Sequence, residues 1–181
     1  FAFSTENWGR SKNEVKALME LFVKAMQEET PKLIENFVRV NFIGDINRLE
    51  KAIINKIIKT KGLTNDYEPK MNLNIAISYG GRWDIVQAIK EISKDLSKKK
   101  IKEKNINEDL LSSYLDTSNF PDPDLIIRTG NEKRLSNFLI WQAAYSELIF
   151  LKKLWPDFKN TDFKRALDEY KRRKRNFGLR S

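Results

Sequence analysis

The 181-residue sequence contains no cysteine and no histidine. The first absence removes disulfides, thiolate nucleophiles and cysteine-bound zinc. The second removes the commonest general base and every serine–histidine–aspartate triad. No run of about 18 apolar residues occurs, so no stretch reads as a membrane-spanning helix. Nor is there a G-x-x-x-x-G-K-[ST] loop, a signal-peptide pattern, an internal repeat, or a Gly/Ser- or Pro-rich linker. Catalysis is left to carboxylates, Arg, Lys, Asn, hydroxyls, or a hard oxygen-liganded cation such as Mg²⁺.

With 40% hydrophobic residues, the chain reads as a single globular domain over 1–181, soluble and cytoplasmic. A chain of this length buries roughly 70% of its unfolded surface. The net charge of +9 is local. Lys98–Lys104 contributes +4 and Lys171–Arg175 contributes +5, the whole of the excess. The first run reads as a solvated loop; the second is either a solvated helix face or a functional tail. No aromatic residue interleaves with either, so nucleic acid is not the expected partner.

Residues 14–29, "EVKALMELFVKAMQEE", carry apolar side chains at helical spacing, and Leu21 and Val23 widen the face beyond one packing surface. "VRVNFIG" alternates as a strand and ends in Gly-Asp. Further helices are predicted over 46–59, 82–97, 107–115 and 161–175. Further strands are predicted over 71–81 and 124–129, and 135–151 is a long apolar segment. Phe1-Ala2-Phe3 reads as the end of a buried strand. Strands with β-branched cores alternating with helices predict an α/β fold, a mainly parallel sheet with helices on both faces. Ligands of such sheets bind beyond the strands' carboxyl ends. "STENWGR", "GD", "YGGR" and "RTG" all follow strands and are expected there.

Arg128 closes an apolar strand, and Arg134 and Ser136 follow within eight residues. A guanidinium emerging from a strand needs an anion. Two Arg with a hydroxyl suit a phosphate or diphosphate, while Asp122 or Asp124 offers a purely structural partner. Asn7, Trp8 and Arg10 precede a helix that Ser11 or Asn13 can cap, with Glu14 in its first turn. That stretch is either an anion site aided by Arg10 or a capping segment with a half-buried Trp. Glu147 interrupts "FLIWQAAYSELIF" and stands either at a solvated helix end or ready for a cation. The two glycines of "YGGR" read more readily as a tight turn than as a phosphate cradle.

"FAFSTENW", "IGD", "LNIAISYGGR", "DPDLIIRTG", "RLSNFLIWQAAYSEL" and "LWPDF" together resemble the cis-prenyltransferase family, and within it the bacterial undecaprenyl diphosphate synthases. The resemblance runs from residue 1 to about 178. It implies Mg²⁺-dependent addition of isopentenyl diphosphate, in cis, to an allylic (farnesyl) diphosphate. The product would be a long-chain polyprenyl diphosphate, the carrier-lipid precursor for cell-wall synthesis. It implies that Arg128, Arg134, Leu135 and Ser136 hold isopentenyl diphosphate, with Arg10 reaching the same site. Ser4, Thr5, Glu6, Asn7 and Trp8 resemble the segment between the two substrates. Asn7 takes the position often given the catalytic role, here as an orienting amide, since a neutral amide is a very poor base.

The resemblance further makes Glu147 a Mg²⁺ carboxylate donated across a homodimer. It places Leu18, Leu21, Phe22 and Met26 along a product tunnel, although on spacing alone they read equally as core. A peripheral membrane contact for product release is also implied. Family chains carry an earlier strand with a D-G-N-G-R motif, its catalytic Asp, and a first helix. None of this matches here, so the sequence is expected to be a fragment, inactive alone. The rival reading is a non-catalytic partner subunit. Asn131 stands where a small residue is usual, Lys133 occupies a variable position, and "RNFG" at 175–178 replaces the common "RRFG".

Overall fold

Alternation in "VRVNFI" buries Val38, Val40 and Ile43, and the run forms strand β2 (Val38–Ile43). In the computed structural model, which describes residues 1–174, β2 pairs in parallel with β3 (Met71–Tyr79). The register runs from Val38 beside Met71 to Ile43 beside Ala76. Strand β1 (Phe3–Ser4) lies on the other side of β3, also parallel, giving the order β1-β3-β2. Residues 76–79 of β3 are all buried, as the middle strand of a parallel sheet requires. The three strands point one way, so the polar motifs that follow them share an edge.

Two helices pack into the core beside this sheet: α1 (Lys12–Glu35) and α2 (Lys51–Leu63). Their Met19, Met26, Ile53 and Ile57 form one cluster with Phe3, Leu49 and Ile77. Helix α1 starts where expected: Ser11 caps it, its Oγ accepting the Glu14 N–H at 3.3 Å. It then continues through Pro31 to Glu35, past the predicted end at 29. The buried Thr30 hydroxyl donates to the Met26 carbonyl, and the helix keeps its apolar contacts across the proline. The region predicted as a helix from 46 begins instead as a 3₁₀ turn (Ile46–Arg48), and the α-helix starts at Lys51.

Gly80 runs in extended conformation straight into α3 (Gly81–Ser97), so the two glycines join strand to helix rather than make a left-handed turn. Helix α4 (Glu108–Tyr114) packs on α3, and Tyr114 donates to Asp95 at 2.9 Å. The Lys-rich connector is a solvated loop: Lys98, Lys99, Lys100, Lys102 and Lys104 are exposed, and Lys100 pairs with Asp95.

The chain divides into two compact units, Phe1–Ser118 as above and Asn119–Ser181. In the second, β4 (Leu125–Arg128) pairs in parallel with β5 (Glu147–Phe150), Leu125 beside Glu147 and Arg128 beside Phe150. Most of the apolar segment before β5 is turns. Ser136, Asn137 and Leu139 have φ of +48°, +63° and +45°, which no α-helix accommodates. Helix α5 (Asn160–Arg172) starts on Asp162, which accepts from the Lys159 N–H and from Lys153 Nζ, both at 2.9 Å. The "RNFG" stretch lies outside the described residues. All strand pairs among the described residues are parallel, as the α/β reading requires. Among those residues no helix is long and apolar enough to cross a membrane.

Candidate functional site

At the carboxyl edge of the first unit, Ser4 leaves β1 and Thr5–Gly9 form a 3₁₀ turn. Ser4 and Asn7 close it reciprocally: Asn7 N–H donates to Ser4 Oγ at 3.3 Å, and Ser4 N–H to Asn7 Oδ1 at 2.8 Å. The Asn7 amide is therefore oriented by its carbonyl end. Thr5 Oγ1 donates to Glu6 Oε2 at 3.0 Å. Trp8 packs edge-on to Phe3, lies under the Arg48 guanidinium at 4.8 Å, and donates through Nε1 to Ser78 Oγ at 2.9 Å. Arg10 pairs with Glu14 at 3.0 Å, four residues along. Both ends of that pair are well exposed, so the pair is weak and Arg10 can exchange Glu14 for another anion.

Behind this segment the β2 and β3 ends are tied by carboxylates. Gly44 N–H donates to Asp116 Oδ2 at 2.7 Å, Asp116 N–H to Asp84 Oδ1 at 3.0 Å, and the buried Tyr79 hydroxyl to Asp84 Oδ2 at 2.9 Å. Removal from water, followed by the neighbouring Asp84 and Asp45 charges, raises the Asp116 carboxyl above its ordinary value despite the Gly44 N–H. An acid raised in the folded state stabilises the fold below the ordinary carboxylate range. That stability is lost as pH rises through the raised value. Asp116→Asn keeps an acceptor for Gly44 without the charge. Thermal midpoints from pH 4 to 7 should fall with pH less steeply for the variant, which ends more stable by on the order of 1–2 °C. Identical slopes would show that Asp116 titrates normally.

In the second unit, Arg128 ends β4 and its Nη1 donates to the Arg134 carbonyl, so the guanidinium braces the loop that follows. Gly130 and Asn131 N–H donate to the Lys153 and Leu151 carbonyls at 2.7 and 3.0 Å, continuing the β4–β5 ladder. Asn131 adopts φ +61°, the conformation its residue type tolerates in place of a glycine. Arg134 itself pairs with Glu132 at the surface. Leu135 accepts the Phe138 N–H through its carbonyl, and Ser136 is exposed. One short loop thus carries Arg128, Arg134, Leu135 and Ser136.

Glu147 opens strand β5 and does not end a helix. Its carboxylate accepts from Arg173 Nη1 at 2.7 Å; the same nitrogen donates to the Leu148 carbonyl at 3.0 Å, and Arg173 also pairs with Glu169. These two carboxylates, Glu147 first, raise the Arg173 guanidinium. Among the described residues no three His, Cys, Asp or Glu side chains gather to hold a metal. Glu147 and Glu169, sharing one arginine, are not an assembled Mg²⁺ site among the described residues.

Of the tunnel candidates on α1, Met26 is buried, Leu18 and Phe22 pack against the core, and Leu21 is 62% exposed. A groove of about 700 Å³ runs along residues such as Val15, Met19, Val23 and Ile53, with Trp8 and Arg48 beside them. Sequence reasoning passed over Ser78, Arg48 and Arg173. Arg173 sat inside a charge run, and Ser78 was one small polar residue at a strand end.

The family model described as putative undecaprenyl diphosphate synthase matches residues 1–178. An isoprenyl transferase of Clostridium tetani is 48% identical over 98% of this chain and 69% of its own length. The farnesyl-diphosphate-specific ditrans,polycis-undecaprenyl-diphosphate synthase of Haemophilus influenzae is 44% identical over 98% and 74%. Among solved structures, lavandulyl diphosphate synthase from Lavandula x intermedia, in complex with dimethylallyl diphosphate, superposes with a TM-score of 0.94. It shares 35% identity over 98% of this chain and 76% of that one. A probable undecaprenyl diphosphate synthase from Campylobacter jejuni gives a TM-score of 0.86 at 40% identity over 98% and 81%.

Proposed function

The chain belongs to the undecaprenyl diphosphate synthase family of prenyltransferases, and on that premise we propose that it condenses isopentenyl diphosphate, in cis, onto an allylic diphosphate such as farnesyl diphosphate. The product is a long-chain polyprenyl diphosphate, undecaprenyl diphosphate. The observation that carries the reading is the loop after β4. Arg128 ends the strand that leads into it, and Arg134 and Ser136 lie on it, on backbone held by left-handed residues and by the β4–β5 ladder. Two guanidiniums and a hydroxyl match the oxygens of a diphosphate. The exposed Glu132 pairing of Arg134 is weak enough to yield to it.

In the reaction the allylic C–O bond breaks and diphosphate leaves. The terminal alkene carbon of the isopentenyl unit bonds to the allylic carbon, and a proton lost from that unit leaves the new double bond. The loop's part is to fix isopentenyl diphosphate where its alkene meets the developing cation. Asn7, oriented through Ser4, offers its amide donors to substrate. An oxygen of the departing diphosphate or a carboxylate takes the proton. We assign Mg²⁺ to the substrate side, as an ion carried on a diphosphate, which needs only one or two protein carboxylates. Glu147, released from Arg173, is the candidate for one of them. The reading also includes a homodimer in the cytoplasm and delivery of product at a membrane surface.

The test is direct. Purified protein at its natural length is given labelled isopentenyl diphosphate, farnesyl diphosphate and Mg²⁺, and products are resolved by chain length. Polyprenyl diphosphates with new cis double bonds are expected, and EDTA should abolish them. Binding of both substrates without any condensation would instead favour the non-catalytic partner subunit.

A further inference from the structure

We propose that Ser78 is a positioning residue for this reaction, its buried hydroxyl holding Trp8 and through it the Ser4–Arg10 segment at the carboxyl edge of the sheet. The inference rests on the reading of that segment as substrate-binding. The pairing of β1 with β3 steps from Phe3–Ile77 to Ser4–Tyr79, so Ser78 is an extra residue opposite no partner. It has φ +51°, left-handed for a residue that rarely adopts it, and is fully inaccessible to water. A bulge of this kind re-aims a side chain, and such conformations last only where the surroundings fix them.

Here the re-aimed hydroxyl accepts the Trp8 Nε1–H at 2.9 Å, while the Ser78 carbonyl accepts the Asp45 N–H at 3.1 Å. One residue therefore ties the segment after β1 to the turn after β2. A half-buried indole N–H needs an acceptor. The other Trp8 contacts, the Phe3 ring edge and the Arg48 guanidinium over its face, fix the ring's plane but give its N–H no acceptor. Trp8 is in the same 3₁₀ turn as Asn7, whose amide closes on Ser4, so a change in Trp8 moves both.

The test is a double-mutant cycle at natural length between Ser78 and Trp8, followed by steady-state kinetics. Ser78→Ala is expected to lower kcat about 10-fold while KM for isopentenyl diphosphate stays within about twofold, since its clamp is on another loop. Ser78→Gly, which accepts φ +51° without strain, should lose the same rate, so a folding defect in the Ala variant leaves the test intact. Combined with Trp8→Phe, either change should add nothing further. The chain has four tryptophans, so Trp8 emission is taken as the difference between proteins with Trp8 and with Phe in its place. That difference spectrum should shift red and become more quenchable by iodide when Ser78 is Ala or Gly. Full kcat in both Ser78 variants, or losses that multiply with Trp8→Phe, would overturn the inference. Unchanged kinetics in Trp8→Phe itself would overturn the reading of the segment as well.

Discussion

Replacing Arg128 with alanine is expected to reduce kcat/KM for isopentenyl diphosphate on the order of 10²–10³-fold, the scale of losing a preorganised donor to an anion. The KM for the allylic substrate should change far less. The argument is positional. Arg128 is the last residue of β4, half-buried, and its guanidinium already spends one donor on the Arg134 carbonyl. The substitution removes a charge that, on the proposed reading, holds the diphosphate, and it unbraces the loop that carries Arg134 and Ser136. Arg134→Ala removes a charge only, from an exposed side chain paired with Glu132, so its loss should be smaller by about tenfold. Arg128→Lys should recover little. An ammonium cannot bond the Arg134 carbonyl and a diphosphate at once in the planar fork geometry. Initial rates over a matrix of the two substrate concentrations separate these cases. Equal effects of Arg128→Ala and Arg134→Ala would mean that the brace is incidental. An effect confined to the allylic substrate would move the loop to the other diphosphate.

The parts of the fold that were legible were those governed by periodicity. The alternation in "VRVNFI" and the apolar spacing of α2 and α3 each describe a face, and burial of that face is what makes the element. The errors fall where another interaction overrides the period. The apolar spacing reads as helix only as far as 29, yet α1 continues through Pro31 because Thr30 and its neighbours stay packed. The long apolar segment over 135–151 shows no element by its spacing, and left-handed residues at 136, 137 and 139 break its first part into turns. Arg128, Arg134 and Ser136 could be singled out as candidates because charge at the end of an apolar strand is costly unless partnered. Glu147 stood out for the same reason, but nothing in the sequence says that Arg173, 26 residues away, takes its carboxylate. Ser78 was invisible because a strand pattern cannot show a bulge that inserts one residue without breaking the hydrophobic run.

Gly44→Ala is expected to lower the thermal midpoint by on the order of 10 °C or to prevent folding. Gly44 follows β2 with φ +118°, a conformation closed to residues with a Cβ. A Cβ there would lie 2.1 Å from the Ile77 carbonyl oxygen and 3.0 Å from the Tyr79 amide nitrogen, both backbone atoms of the central strand. Neither can give way by turning a side chain. Relief requires β2 and β3 to part at their carboxyl ends, where Gly44 N–H meets Asp116 and Asp45 N–H meets Ser78. The damage therefore reaches the residue that holds Trp8, so any folded fraction should also be slow. Gly62→Ala is the matched control. It sits in the last turn of α2, and a Cβ would meet nothing within 4 Å. Alanine is the better helix former there, so this variant should be neutral or more stable by up to about 1 kcal/mol. Calorimetry on both variants checks the contrast. A Gly44→Ala protein melting within about 2 °C of the parent would show that the two strand ends separate freely. The close approach of Gly44 to β3 would then not be what fixes this edge of the sheet.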